Sequence, residues 1–236
     1  MDLIFLGRGA GFNPKEGSTS AYFIDNEEMF LIDCGESVFK TIIQHQILDR
    51  VKALNIMITH THADHVGSLG SLMLYAYAAK QITVKLITHE AMEYLPRVQQ
   101  VLTIFGLTES MYSLASTNEY KDRYTLFKNI TFIKVPHTSE LASCGIIFET
   151  SEGLLFYSGD LNTTGPLEEL LKGSLPIDRI YIDAASQRDN PHHVSIHHIN
   201  DVVPEELKSK VYCMHINSDE CLSLAESYGF KVVSVL

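Results

Sequence analysis

The residues best equipped for chemistry crowd into Thr59-His60-Thr61-His62-Ala63-Asp64-His65, where three imidazoles and a carboxylate follow the apolar run 54–58. Imidazole nitrogens and carboxylate oxygens are the donors that first-row divalent metals take, zinc foremost, with manganese and iron also suited. If 54–58 is a buried strand, His60, His62 and Asp64 share a parity and lean to one side. A helix starting near Val66 then swings His65 round to meet them. One metal rarely takes all four donors. A solvated loop that binds nothing is the bland alternative, and four donors directly behind a hydrophobic strand count against it.

Three later residues each close an apolar run: His137 after 130–135, Asp160 after 154–157 and His215 after 211–214. Singly, each has an ordinary explanation, as a core or surface histidine or a Gly-Asp turn. Together, H-x-H-x-D-H followed by these landmarks resembles the metallo-β-lactamase superfamily. The resemblance implies two divalent metal ions. His60, His62 and His137 would hold the first, Asp64, His65 and His215 the second, and Asp160 would bridge both. It also implies an α/β fold, the four-layer αβ/βα metallo-β-lactamase sandwich.

Flanking residues narrow the branch. Phe5-Leu6-Gly7-Arg8-Gly9-Ala10-Gly11, then Pro14, Thr19-Ser20 and Leu31-Ile32-Asp33-Cys34-Gly35-Glu36, resemble the N-terminal half of ribonuclease Z and its relatives. The glycines read as a tight turn near the metals rather than a dinucleotide loop, because no acid stands at the expected place and the strand-like 21–24 follows. In that branch a Glu of a His-Glu-Ala-Thr motif and a His of a His-Ser-Thr motif act beside the metals. Here Ile182-Asp183-Ala184-Ala185 carries Asp for the Glu, and His193-Val194-Ser195 stands at the second place. The resemblance makes His193 the candidate general acid for a leaving alkoxide and Asp183 its orienting carboxylate. The shorter Asp side chain leaves its reach open. His192, His197 and His198 crowd the same segment, as rivals for the acid role or as capping and solvent-facing residues.

Ribonuclease Z proper inserts a tRNA-gripping arm between the positions matching His137 and Asp160. Residues 138–159 have room only for two strands and a turn at Ser151-Glu152-Gly153, so the arm is missing. The stretch 91–129 is apolar and aromatic rather than basic, and reads as a helical cover, a dimer surface or an ordinary core helix.

The elements that must position these donors show in the periodicity. Period-2 and β-branched runs predict strands at 3–6, 21–24, 29–32, 54–58, 84–87, 130–135, 144–149, 154–157, 179–182, 211–214 and 231–235. Helices are predicted at 37–46, 68–80, 91–104, 167–171, 197–202 and 218–228. That pattern alone says mixed α and β. A chain of 236 residues with 45% hydrophobic content and no repeat or linker fits a single metallo-β-lactamase-like domain over 1–236. No apolar run approaches membrane-spanning length, and the start is too short for a signal segment, so neither secretion nor a membrane is expected. Cys34, Cys144, Cys213 and Cys221 show no C-x-x-C or framework spacing and fit buried thiols in a reducing cytoplasm. Cys213 either supports the site or fills core.

Charge bears on substrate. With 29 acids against 18 bases, net -11, and no basic run, long nucleic acid is disfavoured. A small anionic substrate remains compatible once bound cations supply local positive charge. The expected activity is a cytoplasmic dinuclear-metal phosphodiesterase acting on a cyclic nucleotide or short phosphodiester. It resembles arm-less relatives of ribonuclease Z, among them cyclic-nucleotide phosphodiesterases that some phages use to erase defence signals; a homodimer is implied by the same resemblance. The alternatives are a tRNA 3′-processing endoribonuclease, a lactone, thioester or β-lactam hydrolase, and a metal-binding sensor or scaffold without turnover. Hydrolysis of bis(p-nitrophenyl) phosphate is expected to vanish with chelator and return with zinc or manganese. Turnover that survives exhaustive chelation would count against the metal site.

Overall fold

The computed structural model describes residues 1–236. Two six-stranded sheets are laid out on one plan. In the first, β1 (Ile4–Gly7), β2 (Ser20–Asp25) and β3 (Glu28–Ile32) pair antiparallel, and β4 (Ala53–Met57), β5 (Thr83–Thr88) and β6 (Ser113–Ser116) extend the sheet in parallel from β3. The second repeats this with β7 (Asn129–Val135), β8 (Ser143–Glu149) and β9 (Leu154–Tyr157) antiparallel. From β9, the strands β10 (Ile177–Asp183), β11 (Val211–Met214) and β12 (Lys231–Val232) run parallel.

The sheets meet through aromatic side chains that alternate inward. Phe5 lies 6.4 Å from the Tyr157 ring and 5.4 Å from that of Tyr181, and Phe23 meets Phe148 edge-on at 5.6 Å. These offset and edge geometries suit ring quadrupoles and add to the burial energy. On the outer face of the first sheet lie α1 (Val38–Gln44), α3 (Leu69–Ala78) and α4 (Leu95–Ile104), which bury Val38, Ile42, Leu69, Leu72, Met73, Val98 and Leu102 in the main core. A second core covers the other sheet, where α5 (Gly165–Lys172), α6 (Ile196–Val202) and α7 (Asp219–Ser227) press Leu167, Leu170, Ile196, Ile199, Cys221 and Ala225 against Ile180 and Ile182. The layers are thus αβ/βα. No helix is long and apolar enough to cross a membrane.

Most predicted elements occur, and the departures have local causes. The edge strand β6 falls outside the predicted set: in Ser113-Leu114-Ala115-Ser116 only Ala115 is buried, so no apolar alternation marks it. Helix α4 begins at Leu95 rather than 91, with Pro96 in its first turn, a position proline tolerates. Helix α1 stops at Gln44, and Gln46 just beyond adopts φ 54°. The run 231–235 does not stay one strand. Residues 231–232 pair with β11, whereas Val235 bridges to Phe5 and Leu236 N–H donates to the Phe5 carbonyl, so the segment crosses between sheets.

Strand direction decides where the donor-bearing loops emerge. β9, β10 and β11 run parallel, and β7 lies two antiparallel steps from β9, so all four end along one edge of their sheet. β3 and β4 likewise share a direction. The turn after β3 is locked to a one-turn helix, α2 (Ala63–Val66): Cys34 N–H donates to the His65 carbonyl at 2.7 Å, and Ser68 N–H donates to the Cys34 carbonyl at 3.1 Å. Gly35 makes this approach possible, since a Cβ there would lie 1.9 Å from the Asp64 carbonyl oxygen and 2.5 Å from Ser18 Cβ. The substitution G35A is therefore expected to lower Tm by roughly 3–10 °C. G165A, where the nearest atoms stand 3.9 Å or more from an added Cβ, should leave it unchanged or slightly raised. Equal melting of the two variants in a calorimetric scan would dismiss the close approach.

Candidate metal centre

The donors gather where strands end, two of them on the short helix that follows β4. β4 delivers His60 and His62; α2, capped by His62, turns Asp64 and His65 back; β7, β9 and β11 end before His137, Asp160 and His215. His215 is reached through a left-handed backbone, φ 55°, a conformation uncommon for a side chain with a Cβ and found often at functional sites. It breaks the alternation of β11, so Cys213 does not follow His215 into the cleft: it is fully buried in the second core, and burial pushes its thiol well up.

The side chains assemble into two groups that share one residue. His60, His62, His137 and Asp160 form one, and Asp64, His65, His215 and Asp160 the other, with ligand atoms in each group within 4.8 Å of one another. In the first, His60 Nε2 lies 3.0 Å and His137 Nε2 3.2 Å from His62 Nδ1. Asp160 Oδ2 stands 3.8 Å from His60 Nε2 and 3.7 Å from His137 Nε2. In the second, His215 Nε2 is 3.2 Å from Asp64 Oδ2 and 3.4 Å from Asp160 Oδ2, while His65 Nε2 is 3.3 Å from Asp160 Oδ1.

On three of the rings, the far side fixes which nitrogen faces inward. His65 Nδ1–H donates to Asp33 Oδ2 at 2.8 Å, and His137 Nδ1–H donates to the His192 carbonyl at 2.9 Å. His60 Nδ1–H donates to Thr59 Oγ1 at 3.1 Å, and that hydroxyl donates in turn to Asp33 Oδ2 at 2.7 Å. With the proton held on Nδ1, each Nε2 presents its lone pair, the arrangement by which outer partners orient metal-binding histidines.

Asp33 is the functional residue that motif reading missed. Fully buried, in a left-handed conformation with φ 61°, it also accepts from Thr59 N–H at 2.7 Å. Its signal was present: like His137, Asp160 and His215, it follows an apolar run, Met29 to Ile32 in β3.

Without a cation this cluster is poorly satisfied. His60 Nε2 and His137 Nε2 both turn toward His62 Nδ1, at 3.0 and 3.2 Å, where a single proton satisfies at most one of them well, and His65 Nε2 is buried with no hydrogen-bond partner. Those separations approach the edge of a tetrahedron with metal–nitrogen arms of roughly 2.0–2.1 Å, about 3.3 Å. Burial pushes His60 well below its ordinary pKa and lowers His62 and His137, keeping them in the neutral form that metals bind. For His215 burial opposes the charge, but Asp160 and Asp183 outweigh it and lift the imidazole to about 10. The donor set fits divalent metal.

Beside the second group, His193 Nδ1–H donates to Asp183 Oδ2 at 2.8 Å, so the shorter carboxylate does reach. Asp183 Oδ1 lies 3.3 Å from His215 Nδ1, off the line of a hydrogen bond, so one carboxylate faces both rings. The His193 ring sits 5.3 Å from that of His137 and 4.8 Å from that of His215. Its rivals are elsewhere. His192 contributes only its carbonyl while its side chain is exposed, His197 faces the Tyr228 hydroxyl at 2.6 Å, and His198 is exposed.

A strand-end cluster of this composition, on the seam of an αβ/βα sandwich, defines a metal-dependent hydrolase of the metallo-β-lactamase fold. The structure of the metallo-β-lactamase fold protein YhfI from Bacillus subtilis superposes with a TM-score of 0.74 at 15% identity, over 98% of this chain and 94% of that one. Residues 1–232 match the family model for anti-Pycsar protein Apyc1, and the chain belongs to that family. An anti-Pycsar protein Apyc1 from Bacillus phage 010DV004 is 27% identical over 240 residues, covering 91% of this chain and 88% of the relative. Ribonuclease Z from Oceanobacillus iheyensis is similar over a shorter stretch, 38% identical over 73 residues, 29% of this chain and 24% of that enzyme.

Because Asp33 orients His65 and, through Thr59, His60, D33N is expected to weaken divalent-metal affinity about 10- to 100-fold. Competition with a chromogenic chelator measures this, with Tm at saturating metal as the check on folding. An unchanged affinity in a folded variant would remove Asp33 from the site's support.

Proposed function

We propose that the protein is a dinuclear metal-dependent phosphodiesterase acting on a small substrate, a cyclic nucleotide. The observation that carries this reading is the His193–Asp183 pair at 2.8 Å beside two donor groups joined through Asp160. His60, His62 and His137 are assigned to one ion, Asp64, His65 and His215 to the other, and Asp160 to both. Zinc is the leading candidate for an imidazole-rich set, with manganese or iron also suited. When bound, such ions lower the pKa of water toward neutrality and offset charge growing on phosphoryl oxygens.

The chain's own groups account for the remaining steps. Asp64 and Asp160 present carboxylate oxygens toward the centre of the cluster, where they orient the attacking oxygen. His193 is open on one side, with side-chain exposure of 22%, against 0% for Asp183. Asp183 holds the proton on His193 Nδ1 or shares it, and stabilises the imidazolium; burial works against that charge, but Asp183 outweighs it and raises the His193 pKa. A protonated His193 then delivers a proton to the departing ribose alkoxide, a poor leaving group without one.

Specificity for a small substrate is supported by the absence of an arm between His137 and Asp160, where residues 143–157 form only the β8–β9 hairpin, and by the net charge of -11, which opposes long nucleic acid. The family match adds the name of a protein directed against a Pycsar system, in keeping with cyclic-nucleotide removal. A single domain over 1–236, a cytoplasmic location and a homodimer complete the proposal. For the homodimer, exposed Leu74, Tyr77, Ile104 and Phe105 on α3 and at the end of α4 offer an apolar surface.

H193A is expected to cut kcat on a 3′,5′-cyclic nucleotide by about 10²- to 10⁴-fold, yet by less than about 10-fold on bis(p-nitrophenyl) phosphate, whose leaving group needs no proton. Equal losses on both would refute the acid role. Turnover of a p-nitrophenyl ester in place of either diester would replace the phosphodiesterase reading with carboxyl-ester hydrolysis.

A further inference from the structure

One side chain breaks the rule that large apolar groups are at least partly covered. Phe12 is fully exposed, at 104% of its reference area, and it does not sit on a loose loop. The segment 8–17 is tied at many points: Arg8 N–H donates to the Glu16 carbonyl at 3.0 Å, Gly9 N–H to that of Gly17 at 2.7 Å, and the Arg8 side chain pairs with Glu16 at 2.7 Å. The same loop is stapled to the residue after His215. Ala10 N–H and Asn13 Nδ2–H both donate to the Ile216 carbonyl, at 3.1 and 2.9 Å, and Ile216 N–H donates to the Arg8 carbonyl at 2.7 Å. Asn13 N–H closes a turn onto the Ala10 carbonyl at 2.7 Å, with Gly11 and Phe12 at its tip.

That tip borders the metal centre. A Cβ on Gly11 would lie 2.9 Å from Asp64 Oδ2, so the backbone here runs directly against one of the proposed ligands. Successive Cα atoms are about 3.8 Å apart, which leaves the Phe12 Cα within about 8 Å of the Asp64 carboxylate. A ribose holds a base at a comparable remove from its phosphate, so a Phe12 ring turned toward the cleft meets the base of a substrate whose phosphate lies at the cluster. An exposed aromatic face on a rigid support stacks on any nucleobase at little entropic cost, because neither the loop nor more than two side-chain torsions must be ordered.

We infer that Phe12 is a base-stacking platform that positions the nucleobase of the substrate while its phosphodiester lies at the metal centre. The inference rests on the phosphodiesterase reading and adds a specificity-determining residue to it. It predicts tolerance among bases, since every base has a π-face, with purines held more tightly through their larger overlap.

The experiment compares wild type, F12A and F12W on adenosine 3′,5′-cyclic phosphate and on the base-free methyl riboside 3′,5′-cyclic phosphate. F12A is expected to raise KM about 5- to 30-fold for the base-bearing substrate, with kcat little changed and KM for the base-free substrate unaltered. F12W should restore KM. Because the chain contains no tryptophan, F12W emission excited at the red edge, beyond tyrosine absorption, comes from this site alone, and titration with the cyclic nucleotide should quench it. Equal KM values for wild type and F12A, equal effects on both substrates, or a change in sedimentation with KM intact would each overturn the inference; the last would make the ring a contact between subunits. Failure of wild type to hydrolyse either substrate would sink the phosphodiesterase reading instead, while quenching of F12W reports stacking independently of turnover.

Discussion

Imidazole nitrogens and carboxylate oxygens packed around Asp160, away from water, leave some of their ligand atoms without a partner unless cations reach them, and the rest of the architecture is arranged to hold them there. His60, His65, His137, His215 and Asp160 are all buried, and desolvated polar atoms without partners are costly. The fold answers by anchoring the rear of the rings. Asp33, Thr59 and the His192 carbonyl hold Nδ1 protons on three of them, which leaves Nε2 lone pairs inward and limits the freedom of the rings to turn away from one another.

The centre lies on a seam between two similarly built halves. The first sheet and α2 supply His60, His62, Asp64 and His65; the second sheet supplies His137, Asp160, Asp183 and His215. Neither half contains a complete set, so inter-sheet packing of Phe5, Phe23, Tyr157 and Phe148 fixes donor spacing as much as it stabilises the chain. Two further ties cross the seam, the first of them next to the site. The loop 8–17 bonds to Ile216, and the C-terminal residues return to Phe5. A core mutation that shifts one sheet by a fraction of an ångström is thereby transmitted to the metal-binding geometry, because close-packed interiors pass strain on rather than absorb it.

Asp183 joins the scaffold to the chemistry. At the end of β10, its carboxylate faces His193 on one side and His215 on the other, and accepts from Leu161 N–H at 3.3 Å. Its ion-pair geometry couples the proposed acid to the proposed metal site, so the positions of proton donor and ligand are not independent. On the proposed function, the missing arm, the acidic balance of the chain and an exposed ring next to Gly11 suit a compact substrate held by its phosphate and one flat face.

Much of the site is legible without the fold. Donor types and their clustering at 60–65 mark a metal site, and the superfamily resemblance picks out His137, Asp160 and His215 to complete the seven ligand candidates; each of these three also ends an apolar run, and strand ends are where backbone leaves the core and side chains can converge. The same logic applied to β3 finds Asp33. Less is visible where local pattern is weak or ambiguous: β6 has one buried residue and no alternation, and the run 231–235 divides between two sheets.

By itself, then, the order of residues determined chemical identity and local period: which side chains can ligate, which stretches form strands and helices, and that no tRNA-gripping insert is present. Tertiary packing was needed to show that His193 rather than His192, His197 or His198 faces Asp183, that Asp33 lies behind His65, that Gly35 must be bare for α2 to dock, and that Phe12 stands uncovered next to the Gly11 backbone that abuts Asp64. These are contacts between residues far apart in the chain. They depend on sheet pairing, loop register and which rotamers packing leaves open, quantities that no short window of sequence contains.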